Sequence, residues 1–550
     1  MRIIVAIFLL GFLAEQQFEP VRVNVRLVEL SVIVHNQDDP VTDLAKEDFE
    51  ILDNGKPQEV RYFALERPTK PSASLVSLPN HVFSNRTLGA VETAPGVSIV
   101  LFDLLNTEFT DQAYARKQLV SLLHKIQPGQ RIGVYVLGRE VSVLHDFTDD
   151  PSQLAAVVAR FEGHKSHELS GSTGDQERPV DLSVATSRFG EAEKLLNGAE
   201  NVQRDYFNVD RATITLGAFK GIADHLAPQP ARKNLVWISG SFPFTLGLEQ
   251  RDFDNMAKDS PNRERGSFQV LFDSTMRAVN SADLAIYPVD ARGLLPSTSY
   301  NAGDPSAYSR NTSSYSPPNL DSITNLANKS GGRAFFNTND VEQAIGEALA
   351  DSRVTYTLGF YPDSEPDNKF HSLKVQVQRK GVTVRYRQGY YALSQSPGNS
   401  DPRTLLQQAV ASPLDASAIR ITVKLETPRS KNDSWGLTST VDSHDFAVEQ
   451  QGQKWVGHLQ VVYSIQTETG KELAGLLDNV SLDLKPDVWS RIASEGLPLH
   501  KEFKPPEHAT KVRIAVYDPS TGRIGSISIP SSWESSVANR PACSLSMSKA

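Results

Sequence analysis

Asp103 closes the apolar run "SIVLF" and is followed by Leu104-Leu105-Asn106-Thr107. In open α/β sheets, the carboxyl end of a strand is the edge where ligands bind. A carboxylate there can serve a metal site, or it can simply accept hydrogen bonds from its own loop and turn the chain. Asp290, in "YPVDARG", ends a second such run, and its neighbour Arg292 favours a turn with the two side chains paired. A third run, "NLVWI", leads into Ser239-Gly240-Ser241. Its serines lack the Gly-x-Ser-x-Gly elbow and a positioned histidine, so a nucleophilic serine is not indicated.

Other chemistry is poorly supplied. The 12 histidines include no His-Glu-x-x-His or similar pairing. His35, His124, His145, His225 and His371 are scattered, as surface or packing residues are. Neither a phosphate loop nor a dinucleotide fingerprint is present. The single cysteine, Cys543, excludes an intramolecular disulfide and a cysteine-based zinc site. The formal net charge of −9, without a basic cluster, argues against a nucleic-acid partner.

The strand-end residues need a framework, and 550 residues exceed what one core can hold, so about three domains are expected. Residues 1–19 read as a signal peptide, because Arg2 precedes an apolar run from Ile3 to Ala14 that is too short to span a bilayer. The protein is therefore expected to be periplasmic, secreted or cell-surface associated, with no transmembrane anchor once the signal is removed. Residues 20–66 alternate as a β module with a hairpin at Asn54-Gly55, and 67–95 read as a linker. Residues 96–353 alternate strands with helices, which predicts a mostly parallel sheet covered on both faces. Within this region Thr110 is the expected N-cap of a helix, "TITLGAFKGIADHL" reads as a helix, and a surface helix is expected around Phe189 to Leu196. Residues 296–318 read as a mobile loop.

Residues 354–392 read as β strands, the last pair turning at Lys380-Gly381, that pack with the N-terminal module. Residues 393–404 follow as a linker, 405–530 as a β-sandwich and 531–550 as a tail. Five glycosylation sequons, among them Asn85-Arg86-Thr87, matter only in a glycosylating host.

The joint order of "LAKEDFEILDNGKPQEVRYF", "FDLLNT", "RKNLVWISGSFP", "AIYPVDARGL", "SGGRAFFNTNDVEQAI" and "YTLGFYP" resembles the von Willebrand factor A (vWA) family. More narrowly, it is similar to the vWA-related exported proteins abundant in Acidobacteria. The resemblance covers roughly residues 20–392. It implies a central Rossmann-type sheet, flanked by the N-terminal β module and the C-terminal sandwich. It also implies a metal site built from an Asp-x-Ser-x-Ser loop, a threonine of a second loop and an aspartate of a third, binding Mg²⁺ or Mn²⁺.

Matched to that pattern, Asp103 is retained, Thr107 replaces a serine, and Leu105 cannot ligate. Thr213 in "ATIT" stands for the second loop, and Ser239-Gly240 stands where Asp-Gly is expected. Asn106, Ser241 and Asp290 would line the same upper face. The implied site is degenerate, with at most weak binding of Mg²⁺ or Mn²⁺ and no required cofactor. The function implied is a non-catalytic protein-binding, scaffolding or adhesion module with an envelope or extracellular protein partner. A metal-dependent hydrolase using the strand-end carboxylates, or a purely structural envelope protein, is the alternative.

Overall fold

The computed structural model describes residues 27–67, 81–85, 96–126, 130–173, 190–227, 232–241, 263–293, 320–392, 402–426, 434–467 and 470–530, apart from positions 38, 339, 364, 365, 368, 413 and 505. The expected signal peptide (1–19), the expected loop (296–318) and the expected tail (531–550) lie outside these residues. Among the described residues no helix is long and apolar enough to cross a membrane.

Residues 27–66 and 354–392 form one β unit. The strand Val28–Asn36 pairs antiparallel with Thr355–Phe360 and with Thr383–Arg385, while Phe49–Asp53 pairs with Phe370–Val377. Leu30, Val32, Ile51, Tyr356, Leu358 and Leu373 fill the core between them. The Asn54-Gly55 hairpin carries positive φ at both positions, 47° and 82°, as a two-residue turn of the mirror-image kind requires. Lys380-Gly381 does turn the chain, with φ of 77° at Gly381. The strands on either side do not form the expected hairpin, because one joins Phe49–Asp53 and the other joins Val28–Asn36.

The central sheet comprises β1 (Val97–Asp103), β2 (Arg131–Leu137), β3 (Val141–Thr148), β4 (Lys233–Ser239) and β5 (Leu284–Asp290), ordered β5-β4-β1-β2-β3. The pairs β5–β4, β4–β1 and β1–β2 are parallel, and β2–β3 is antiparallel. The sheet is thus mixed, with an antiparallel edge strand that the sequence pattern misses because Val141–Thr148 carries four polar side chains among its eight residues.

Every residue of β1, β4 and β5 is buried, as expected of strands covered on both faces. Alternate residues serve opposite layers. Ile99, Leu101, Leu235 and Trp237 pack under helices α4 (Gly190–Leu226), α5 (Arg263–Ser281) and α6 (Leu320–Ser330). Val100, Phe102, Val236 and Ile238 pack under α1 (Phe109–Leu123), α2 (Pro151–Arg160) and α7 (Val341–Ala350). A short helix, α3 (His167–Thr173), precedes α4.

Two helix boundaries differ from the sequence expectation. Thr110 lies inside the first turn of α1, which begins after Glu108 without a side-chain cap. The two helices expected after residue 188 are one continuous 37-residue helix, α4.

The C-terminal region is a two-sheet sandwich around Ile421, Val423, Val461, Tyr463 and Ile514. One sheet contains Ile421–Glu426, Trp435–Val441 and Leu497–Phe503, and the other contains Lys454–Gln466, Glu472–Leu484, Lys511–Tyr517 and Ile524–Pro530. Two helices, Pro402–Ala411 and Pro486–Glu495, accompany these strands. The 67–95 stretch is more than a linker: Val82–Ser84 pairs antiparallel with Thr422–Lys424 and extends the first sheet. Its apolar residues are too few to announce a strand, and the sheet edge that receives it lies more than 300 residues away in sequence.

Candidate functional site

Strand order reverses at β1, since α1 leads to β2 on one side and the long excursion through α4 leads to β4 on the other. The crevice beyond the carboxyl ends of β1 and β4 is therefore the switch point at which doubly wound sheets bind ligands. Asp103 ends β1 there and Ser239 ends β4.

Asp103 is wholly buried, and donors surround its carboxylate. Oδ1 accepts the backbone N–H of Asn106 at 2.9 Å. Oδ2 accepts the Asn106 side-chain amide at 2.8 Å and the Trp237 indole N–H at 2.8 Å. The Ser239 hydroxyl stands 2.9 Å from the same oxygen and 2.8 Å from the Ser241 carbonyl, to either of which it can donate. Burial raises the Asp103 carboxyl above its ordinary range, against these donors, which favour the charged form.

The rest of the cluster descends from α4. Arg211, also buried, donates from Nε to the Asn106 side-chain oxygen at 2.9 Å and from Nη2 to the Ser241 hydroxyl at 3.0 Å. Thr215, one turn on, accepts from Asn106 Nδ2 at 3.0 Å and donates its own hydroxyl back to the Arg211 carbonyl at 2.8 Å. Burial lowers the Arg211 guanidinium to about 10, while Asp103 and Glu168 act to raise it. It stays protonated at neutral pH.

Asn106, Ser239 and Ser241 thus meet Asp103 or its immediate partners. Thr107 is close but otherwise engaged: its Oγ1 accepts the Gly240 N–H at 2.9 Å and ties the two strand-end loops together. Thr213 is not in the site. It is exposed on α4 and donates to the Val209 carbonyl at 2.8 Å. Residues two apart on a helix face nearly opposite ways, so it is Thr215 of the same "ATIT" that turns inward.

Asp290 ends β5 in register with Ser239, and Arg292 chelates it, Nε and the backbone N–H on Oδ1 and Nη2 on Oδ2 at 2.8 Å. Leu105 is buried in the apolar layer. Sequence reasoning missed Arg211, Thr215 and Trp237. The available signals were a charged residue on the same helical face as Leu216, Phe219 and Ile222, and a tryptophan sharing its strand face with Ser239.

This donor set does not suit a divalent cation. Hard cations need oxygen lone pairs, and Asp103 is faced by N–H donors from Trp237 and Asn106 and by one hydroxyl, Ser239, itself engaged in hydrogen bonding, with a guanidinium behind them. Among the described residues no group of three or more His, Cys, Asp or Glu side chains could hold a metal ion.

No protein family matches the sequence, and no curated protein matches it. Among solved structures, the chain is similar to an aerotolerance-related membrane protein from Bacteroides fragilis, at 10% identity over 46% of this chain and 99% of that one, with a TM-score of 0.23. It is similar to the conserved hypothetical protein BatB from Bacteroides thetaiotaomicron, at 11% identity over 47% and 98% of the two chains, with a TM-score of 0.24. A von Willebrand factor type A structure from Catenulispora acidiphila matches at 7% identity over 60% and 73%, again with a TM-score of 0.24. Likenesses at these scores assign neither family nor function to the chain.

Proposed function

We propose that this chain is an exported, vWA-type protein that binds another protein through the carboxyl edge of its central sheet and performs no catalysis. One observation carries the reading. The polar groups gathered at the switch point are bound to one another: Asp103 is taken up by Asn106, Trp237 and Ser239, and Asp290 by Arg292. A catalytic site needs a base or nucleophile left able to reach a substrate, whereas a binding face needs a fixed shape. The strand order β5-β4-β1-β2-β3, with an aspartate closing β1, supports the vWA-type assignment. Arg2 and the apolar run behind it support export. The partner would be an envelope or extracellular protein.

Photo-crosslinking tests this reading. Phe109 is half exposed at the start of α1, beside the strand-end loop, and His124 is exposed at the opposite end of that helix, roughly 22 Å away. A photoreactive side chain at Phe109 should capture a discrete partner from the envelope fraction, and one at His124 should not. Equal capture at both positions, or none at Phe109, counts against the reading. Turnover of an ester or phosphodiester that Asp103→Asn abolishes would replace it with the hydrolase.

A further inference from the structure

Asp103 is 0% exposed and Arg211 3% exposed, so two opposite charges are buried where the carboxyl end of β1 meets the middle of α4. Their link is the Asn106 amide. Its nitrogen donates to Asp103 Oδ2 at 2.8 Å and to Thr215 Oγ1 at 3.0 Å, while its oxygen accepts from Arg211 Nε at 2.9 Å. Every part of that amide is used. Its orientation is fixed as well, since a flipped amide would set its oxygen against the carboxylate and its N–H groups against the guanidinium. A buried carboxylate without a compensating charge is costly. A divalent ion is the compensation that the vWA resemblance implies, and the donor set around Asp103 does not suit one.

We propose that Arg211 is the resident cation of this edge, coupled to Asp103 through the Asn106 amide and making the site independent of metal. The guanidinium is supplied by α4 itself and held at its other end by Ser241, so assembly of the site requires folding alone. The binding edge keeps one charge state and one shape whatever the divalent-ion concentration outside the cell. The inference concerns the same edge as the proposed partner binding but needs no partner to be tested, so either can fail without the other.

The test is a set of thermal and denaturant melts on the full chain. In wild type, millimolar Mg²⁺ or Mn²⁺ against EDTA should leave the melting temperature unchanged, because no ion binds the native state. Arg211→Met should lower it, and Arg211→Lys, which restores the charge, should recover part of the loss. Asp103→Asn should cost less in the Arg211→Met background than in wild type, with a coupling on the order of fivefold or more in the unfolding constant. A wild-type melting temperature that rises with either ion, and stops doing so in Asp103→Asn, would overturn the proposal. So would simple additivity of the two substitutions. If Arg211→Met fails to fold, Arg211→Lys and the ion titration of wild type against Asp103→Asn still decide the question.

Discussion

Trp237 gives its indole N–H to Asp103 Oδ2 at 2.8 Å, and its ring meets Phe219 of α4 edge-on at 4.9 Å. One side chain of β4 thereby fixes both the acid that ends β1 and the helix that brings Arg211. The apolar body of the ring is in the core and its one polar atom is at the site, which is the arrangement a buried tryptophan needs. Site and core are continuous here: a change in the packing of α4 on β4 moves the donors around Asp103.

Trp237→Phe separates these two roles. The aromatic contact with Phe219 survives in large part, but the carboxylate loses a donor that nothing replaces. A hydrogen bond to a charged group contributes about 1.5–3 kcal/mol, so denaturant unfolding should show a loss of that size. The loss should shrink when Asp103→Asn is already present. A substitution without effect would mean that Trp237 acts through packing alone.

Acid stability gives a second check on Asp103. The charged group facing it is Arg211 from α4, with Glu168 of α3 acting on that guanidinium, while β4 contributes only the neutral Trp237 and Ser239. Burial holds the carboxyl above its ordinary value. Between the ordinary and the raised value, the folded chain keeps a proton that the unfolded chain has released. Stability therefore falls as pH rises through that window and gains as pH falls through it. Wild type should gain stability relative to Asp103→Asn as pH is lowered across this range. A relative loss there would mean that the donors outweigh burial.

Much of this site was legible in the sequence, and for a physical reason. Buried strands of a two-sided sheet are continuous apolar runs, so the polar residues that end them, Asp103, Ser239 and Asp290, stand out. Arg211 and Trp237 were not legible as site residues, because a lone arginine in a helix reads as surface and a tryptophan in a strand reads as core. Only the packing of α4 across β4 and β1 brings them together. The resemblance sets Thr213 in the second loop, where the expected helix "TITLGAFKGIADHL" begins. In the continuous α4 both Thr213 and Thr215 are mid-helix, and the 100° step per residue decides which faces inward. The Val82–Ser84 strand was hidden for another reason, since three residues carry no periodicity and its partner strand is distant in sequence.

Asp351, at the end of α7, is one of the ties between the central domain and the β unit. Its Oδ2 accepts the Tyr287 hydroxyl at 2.9 Å and pairs with Arg385 of the β unit, and His35 Nε2 stands 3.9 Å from Oδ1. Arg232 in turn donates to the Tyr287 oxygen at 3.0 Å. Removing one member of a buried charge network leaves the others uncompensated, and Asp351→Asn should cost about 3 kcal/mol. Buried pairs are screened little by salt, so the loss measured in urea should persist at high ionic strength. A cost that disappears in salt would mark the network as a surface one.

Asn85 tests whether the Val82–Ser84 strand belongs to the sandwich. Its side-chain N–H groups donate to the carbonyls of Ala416 and Ile419, both at 2.8 Å, and its oxygen accepts the Ile421 N–H at 2.8 Å. The side chain therefore stands in for a stretch of backbone at the start of the neighbouring strand. Asn85→Ala leaves those three groups without it, and should cost about 1–3 kcal/mol, the range for a buried group that loses its partner. Asn85→Asp should be worse than alanine, although it is nearly isosteric, because it aims a carboxylate oxygen at two carbonyls. The same geometry makes the Asn85-Arg86-Thr87 sequon unusable once the chain has folded, since a glycan would occupy the nitrogen that both carbonyls share. If aspartate is tolerated better than alanine, the strand is held by its ladder with Thr422–Lys424, and Asn85 contributes little.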